Sequence, residues 1–475
     1  MEELNIKEIV RAVGGTLLNG DEKSVITSVS TNSKELGRNG LFVPIIGERV
    51  DAHNFIHDAF DNGAVAVFTS REISHFIQDK VYIKVEDTKN ALQVLASYYR
   101  DKFLIPVIGV TGSVGKTTTK EMIAKALEPR YKVLKTAGNM NSQIGLPLMM
   151  FEIEKTDEIA VIEMGVSNFG EMERLCAIAK PTIAVMTNIG VSHIANLKTR
   201  ENIRMEKLNI INEFSNSGIL YINGNDKLLR VIKEYTKMPQ NSAIMNISMA
   251  TRKKLQETLV CSYGTMEECD YQASNIEKSS DGIKFIYQSK ERKEEVILGV
   301  LGEHNVFNGV VALAIAEYFK VPLKEAKEAL KEYRPIAMRG QIKEVHGMKL
   351  IDDTYNASPD SMKSGISMLL ELESKRRVAV LADAWELGER SYQLHYEVGE
   401  FIAGKKIDLV VTIGKEAKAI VEAINKKDGT ILTASFHKNE EAIRYLKEQL
   451  KPGDAVLIKG SRGMHTEEIF SQLSI

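Results

Sequence analysis

Residues 107–121 read VIGVTGSVGKTTTKE. Within them Gly112, Ser113, Val114, Gly115, Lys116, Thr117 and Thr118 form a glycine-bearing turn between an apolar run and a helix-forming one. Such a turn can hold an anion, because successive backbone N–H groups and the first turn of the following helix converge on it while glycine lets the backbone come close. Lys116 would reach terminal phosphates, and the Thr117 hydroxyl would hold a nucleotide-bound Mg²⁺. The spacing departs from G-x-x-x-x-G-K-[ST], since Val110 stands where the first glycine belongs. The competing reading is a strand-to-helix turn with an incidental lysine, but strand, turn and helix come in the order a phosphate loop needs. A G-x-S-x-G hydrolase elbow is excluded, because Thr111 occupies its first glycine position.

Two further segments carry chemistry toward the same place. In IEMGVSNFGE, Glu163 ends an apolar strand, and open α/β sheets bind ligands outside such strand ends. Glu163 can hold a metal or cap the helix beginning near Gly170, and the sequence leaves both open. MTNIGVSHI brings His193 to that edge from a strand read as the neighbour of the Glu163 strand. A lone histidine is more often a hydrogen-bonded structural residue than a ligand, yet here a carboxylate and an imidazole approach one loop.

Positioning these groups takes a mostly parallel sheet covered by helices, and the alternation of apolar runs with helical stretches supplies it. Residues 1–100 alternate GLFVPII, GAVAVFTS and KVYIKV with helical segments, which predicts a small α/β domain. Residues 101–335 begin at IPVIGVTG, continue as strand–helix pairs, turn to period-two alternation in GIKFIYQSK and EEVILGVLG, and end after two helices. That alternation predicts an antiparallel patch. Residues 336–475 alternate again through MKLIDDTY, RRVAVLADA, DLVVTIG, TILTASF and AVLIKGS, which predicts a Rossmann-like sheet.

The chain as a whole agrees with three domains of about 150 residues each. Its 475 residues carry a formal net charge of −2 with 27% charged residues, so no basic field draws it to nucleic acid or membrane, and a small-molecule substrate is expected. Three cysteines without a C-x-x-C pair, and an opening MEELNIKEIV without an apolar stretch, lead to the expectation of a reducing cytoplasm. No apolar run approaches the roughly 18 residues of a membrane span.

TGSVGKTTT, GNMNSQIGLPL (138–148), IEMGVSNFGE (162–171), TNIGVSHI (187–194), GEHNVFN (302–308) and KGSRGM (459–464) resemble the Mur ligases of peptidoglycan synthesis, whose variant phosphate loop has the spacing found here. DDTYNASPDSM (352–362) and ELGERSYQLH (386–395) look most like the branch that adds D-alanyl-D-alanine to UDP-N-acetylmuramoyl-tripeptide. The resemblance covers essentially the whole chain. It implies a three-domain α/β architecture: a small N-terminal α/β domain for the UDP substrate, a central P-loop ATPase-like parallel sheet for ATP, and a C-terminal Rossmann-like ligase domain.

The implied reaction is ATP-dependent amide synthesis through an acyl phosphate, with ATP and two Mg²⁺ ions. The resemblance assigns one Mg²⁺ to Thr117 and the other to Glu163 and His193, and it makes Lys207 the lysine that the family carbamylates. By its sequence setting alone, beside Lys198, Arg200 and Arg204, Lys207 is a solvated charge; Asn209 also stands where the family often has glutamate. His304, Asn305 and Asn308 would hold adenine, although Asn at i and i+3 also suits a helix N-terminal cap. Arg339 would meet the ATP phosphates on domain closure and Asp353 the ribose. Asn139, Asn141 and Asn356 would face the substrates. Ser30, Thr31, Ser33 and Lys34 would bind UDP, with Asn32 and Lys34 replacing a common aspartate and arginine. Ala382 and Ala384 depart from the family's G-D-M-x-E-L-G, which puts the amine specificity in question, and Trp385 stands between them and Glu386. A monomer is expected, with no nucleic acid and no membrane insertion. Two other readings compete: a Mur-type ligase with a different amine or acyl substrate, and a nucleotide switch without amide synthesis.

Overall fold

The computed structural model describes residues 1–215, 218–237, 247–279 and 282–475. Besides a two-stranded pair of Leu4–Asn5 with Val25–Ile26, three larger sheets follow one another along the chain. The first has the strand order Thr16–Asn19, Val81–Lys84, Ala64–Thr69, Gly40–Phe42, Ser28–Ser30, parallel except at the Thr16–Asn19 edge.

The second sheet has nine strands, and its functional strands are buried throughout and mostly apolar because helices cover both faces. Val107–Thr111, Ile159–Glu163 and Ile183–Met186 are buried at every residue. Val107–Thr111 lies between the other two, with Glu163 in register with Val110 and Met186 with Thr111. The strands leading to Glu163 and His193 are therefore not neighbours, as the sequence suggested; the phosphate-loop strand is inserted between them. Strand order reverses at that strand, and a crevice opens at such a switch point. Helix Lys116–Leu127 follows the loop, and helix His304–Tyr318, apolar on nearly every side, packs against it. Tyr271–Ser279, Gly282–Gln288 and Lys293–Leu298 pair antiparallel, as the period-two alternation predicts.

The third sheet has the order Gln341–Val345, Met348–Asp352, Asp454–Lys459, Arg376–Ala382, Leu409–Ile413, Leu432–Phe436. Its antiparallel edge strand Gln341–Val345 was not anticipated: QIKEV is polar and mostly exposed, so it lacks an apolar signal.

The two joints between sheets differ. Helix Thr88–Arg100 is shared by the first joint: the Tyr99 hydroxyl, fully buried, donates to Ile153 O at 2.7 Å, and Arg100 donates to Ala179 O at 3.1 Å and Ile105 O at 3.0 Å. At the second joint, helix Pro359–Glu371 meets the central sheet through both its ends. Asp360 Oδ2 accepts from Val191 N at 3.0 Å, and the Glu371 carboxylate accepts from Gly302 N at 3.0 Å and Glu303 N at 3.2 Å. Among the described residues no helix is long and apolar enough to cross a membrane.

Candidate active site

A cleft of about 760 Å³ opens where the three sheets meet, lined by Ser113–Thr118, by Glu163 and His193, and by residues of the first and third sheets' segments such as Lys89, Asp353 and Trp385. The phosphate loop keeps its shape through glycine. At Gly112 (φ +148°) a Cβ would stand 1.9 Å from Thr187 Oγ1, so the loop can approach the neighbouring strand end only without a side chain. Gly115 (φ +85°) turns the chain into the helix that Lys116 begins.

Residues of the next strand end, not singled out in the sequence, brace this loop. Asn188 Oδ1 accepts from Val114 N at 3.0 Å, Asn188 Nδ2 donates to Val114 O at 2.9 Å, and Thr187 Oγ1 donates to the same carbonyl at 2.6 Å. Their only sequence signal was the TN that opens TNIGVSHI. The Lys116 ammonium lies over the loop and donates to Gly112 O at 3.0 Å. Burial pushes its pKa down; Glu163 opposes that shift and Arg339 adds to it.

Glu163 is buried and its two oxygens are engaged: Thr117 Oγ1 donates to Oε2 at 2.9 Å and Asn141 Nδ2 to Oε1 at 2.7 Å. Its backbone N–H donates to Thr136 Oγ1 at 2.8 Å, and the buried Lys120 ammonium donates to Thr136 O at 2.6 Å. Glu163 therefore does not cap the helix at Gly170. Glu206 does so instead, accepting from Gly170 N at 2.9 Å and Met172 N at 2.8 Å. The Thr117 hydroxyl and the Glu163 carboxylate offer converging oxygen atoms, the donors that Mg²⁺ prefers. Among the described residues no group of three or more His, Cys, Asp or Glu clusters closely enough to ligate a metal unaided.

His193 adopts a left-handed backbone (φ +60°) and ends the loop before the short helix Ile194–Leu197. Its Nδ1 lies 2.6 Å from Glu386 Oε2, an ion-pair distance reached without hydrogen-bond angles. The imidazole holds the Glu386 carboxyl below the usual carboxylate range against the opposing effect of burial. Lys207, on helix Arg200–Leu208, is 1% exposed, which overturns its reading as a solvated charge. Burial drives its pKa far down; Lys116 adds to the shift, and Glu206 and Glu163 oppose it. It does not line the cleft.

Asn305 and Asn308 line the cleft from within helix His304–Tyr318, not as its cap. Asn308 Oδ1 accepts from Thr119 Oγ1 at 2.8 Å and its Nδ2 donates to Asn305 Oδ1 at 3.0 Å, while Asn305 Nδ2 donates to Leu301 O at 2.6 Å. Burial lowers the pKa of His304; Asp353 opposes this and Lys459 adds to it. Asp353 accepts from Lys459 Nζ at 2.6 Å, and Lys459 also donates to Asn356 O at 2.9 Å. Lys459, which opens KGSRGM, is a further cleft residue that its sequence setting does not mark. Arg339 lies with Cζ 3.7 Å from the centre of the Tyr355 ring. Asn139 and Asn141 line the cleft from the loop before helix Gly145–Met150.

The turn bearing Ser30, Thr31, Ser33 and Lys34 is not part of this cleft. There Ser30 Oγ accepts from Asn32 N at 3.0 Å and Asn32 Oδ1 from Lys34 N at 3.1 Å, which gives Asn32 a turn-forming role. Ala382 and Ala384 are buried beneath the cleft rather than lining it, whereas Trp385 is half exposed on its wall against Gly463.

Comparison with known proteins places three family models on the chain: "Mur ligase family, catalytic domain" on residues 25–100, "Mur ligase middle domain" on 110–316 and "Mur ligase, glutamate ligase domain" on 338–462. The UDP-N-acetylmuramoyl-tripeptide–D-alanyl-D-alanine ligase of Bacillus subtilis (strain 168) is 38% identical over 476 residues, which covers 100% of this chain and 99% of the relative. A crystal structure of MurF from Acinetobacter baumannii matches with a TM-score of 0.88 at 28% identity, covering 100% of this chain and 99% of that one. MurF ligase from Thermotoga maritima in complex with ADP matches with a TM-score of 0.80 at 29% identity, covering 94% of this chain and 97% of that one.

Proposed function

Since the chain belongs to the Mur ligase family, we infer that it joins D-alanyl-D-alanine to UDP-N-acetylmuramoyl-tripeptide at the expense of ATP, releasing ADP and phosphate. The observation that carries this reading is full-length similarity to a ligase of that name, combined with a cleft that gathers a phosphate loop and residues of all three segments. Residues 1–100 are assigned the UDP end of the substrate, 101–335 ATP, and 336–475 the incoming dipeptide. An enzyme using these nucleotide substrates works in the cytoplasm.

The difficulty of the reaction is charge and position. A substrate carboxylate must attack the γ-phosphate to give an acyl phosphate, and the dipeptide amine must then displace phosphate. Lys116 and the loop N–H groups hold the phosphates, and Arg339 adds charge from the third segment. Asn305 and Asn308, whose amides are already fixed by Thr119 and Leu301, present a rigid edge to adenine, and Asp353, held by Lys459, takes the ribose. Asn139, Asn141 and Asn356 steer the acyl and amine substrates.

The Thr117 hydroxyl and Glu163 carboxylate fit Mg²⁺ as oxygen donors, and His193 lines the same cleft. Two Mg²⁺ ions bound here would neutralise phosphate charge and draw the acyl oxygen toward ATP. Lys207 as a carbamate would supply oxygen donors that an ammonium cannot, and its burial near Lys116 and Glu163 supports that role. A ¹³C carbamate resonance from the enzyme in ¹³C-bicarbonate, absent in Lys207→Arg, is the expected result; its absence from the native protein removes the carbamate.

The activity itself is tested by ADP release that requires both UDP-linked tripeptide and D-Ala-D-Ala. With Ala382 and Ala384 buried, the dipeptide is expected to be the best acceptor by a wide margin over single amino acids; preference for another amine in direct competition favours the related-ligase reading.

A further inference from the structure

The loop Gly190–Ala195 carries His193, and the third segment grips it at three points. Asp360 Oδ2 accepts from Val191 N at 3.0 Å, Glu386 O accepts from Ala195 N at 3.2 Å, and the Glu386 carboxylate lies 2.6 Å from His193 Nδ1. The fit is close: a Cβ on Gly190 would stand 2.1 Å from Asp360 Oδ2, so no other residue permits this approach without displacement. From its own segment, the loop is tied by Gly190 N to Ser113 Oγ at 2.9 Å and by Ser192 Oγ to Ser113 O at 3.4 Å, and the His193 carbonyl accepts from Asn196 N and Leu197 N at 3.1 Å each; its imidazole is faced by the third segment's Glu386.

Glu386 is itself prepared for this contact. Its backbone is left-handed (φ +63°), which is uncommon for a residue with a side chain. The two residues before it are pinned inside the third segment: Ala384 N donates to the buried His395 Nε2 at 3.0 Å and Trp385 N to Ser461 Oγ at 2.8 Å. A carboxylate this close to one ring nitrogen favours a proton there, and once the two align as a hydrogen bond it fixes the ring and leaves the other nitrogen free for a metal.

We propose that Asp360 and Glu386 are positioning residues that set the His193 loop and ring from the third segment, so that the metal-side histidine is aligned only while that segment is docked. The inference rests on the reading of His193 as a metal ligand. It makes docking of the amine-binding segment and completion of the phosphate-activating site a single event, which would keep ATP from reacting before the dipeptide's segment is in place.

The test is Mn²⁺ binding to the full chain saturated with a non-hydrolysable ATP analogue, followed by loss of the free-ion EPR signal. Ring ¹⁵N shifts of His193 and the unfolding midpoint are recorded on the same samples. Glu386→Ala and Asp360→Ala are expected to weaken Mn²⁺ binding by about 10- to 100-fold, with the unfolding midpoint unchanged and the His193 tautomer signal lost in Glu386→Ala. Asp360→Asn, which keeps an acceptor for Val191 N, should recover native binding. Combining His193→Ala with Glu386→Ala should weaken Mn²⁺ no further than His193→Ala alone. If His193→Ala weakens Mn²⁺ but neither carboxylate variant does, this inference falls and the metal reading stands. If His193→Ala leaves Mn²⁺ affinity unchanged, the metal reading falls and takes the inference with it.

Discussion

The two joints of the molecule are built from different materials. Between the first and central sheets, Tyr99 is fully buried against Phe103 and Phe151 and reaches across to Ile153 O, and Arg100 is buried with three backbone carbonyls as partners. Between the central and third sheets, the named contacts are carboxylates on backbone N–H groups: Asp360 on Val191, Glu371 on Gly302 and Glu303. Apolar burial is lost only when a joint opens to water, and it holds continuously. A few hydrogen bonds to water-accessible groups are exchanged for hydrogen bonds to solvent at small net cost. The first joint thus centres on a buried aromatic, while the second adds carboxylate–backbone hydrogen bonds to the apolar core that the two segments share.

Removing the centre of the apolar joint should have the largest effect on folding. Tyr99→Ala is expected to lower the unfolding free energy by about 3–5 kcal/mol, as for other large buried aromatics, measured by urea denaturation; a loss under 1 kcal/mol would make the first joint no more than a docking contact. Lys116→Ala acts on the loop that both joints serve. It should reduce turnover by roughly a thousandfold, about 4 kcal/mol of transition-state stabilisation, while UDP-peptide binding by calorimetry stays nearly native. A tenfold effect is too small for a phosphate-holding lysine.

At the polar joint, Glu371→Ala removes the carboxylate at the start of the helix that carries Asn305 and Asn308. The expected result is a rise of about tenfold in the KM for ATP with under about 1 kcal/mol of lost stability; the reverse pattern would make this joint structural. The smallest effect concerns pH. Buried His395 accepts from Ala384 N through Nε2 and donates through Nδ1 to Ser391 O at 2.8 Å, so only the neutral ring fits, and burial lowers its pKa from the usual 6.5. A histidine depressed in the folded state contributes stability that is present above 6.5 and lost as pH falls toward the folded value, because the unfolded chain binds the proton more tightly. Unfolding free energy should therefore decline on acidification below about pH 6.5, and His395→Gln should flatten that decline.

Much of this arrangement was legible in the chain because local patterns dictate it. Val107–Thr111 through Leu127 reads as strand, glycine turn and helix, and the apolar runs ending at Glu163 and Met186 can only be buried strands. Contacts between residues far apart in sequence were not legible. Nothing near His193 signals Glu386, and nothing near Val191 signals Asp360, since each depends on how two sheets dock. Lys120 and Lys207 look like ordinary charges in polar helices, yet they are 1% exposed because other elements pack over them, and Lys120 donates to Thr136 O beyond its own helix. The order of the strands around the phosphate loop was also hidden: periodicity identifies strands but not which lie side by side. The edge strand Gln341–Val345 was missed for the opposite reason, since it carries almost no apolar residues to reveal it.

The brace that Asn188 and Thr187 place on Val114 bears on how quickly nucleotide can be captured. A phosphate loop that had to coil around its ligand would lose chain freedom at every encounter and would reject many collisions. Here the loop loses that freedom during folding, once, through side chains on the next strand end. ATP meets a loop whose chain freedom is already lost, so its capture does not carry the cost of ordering that loop.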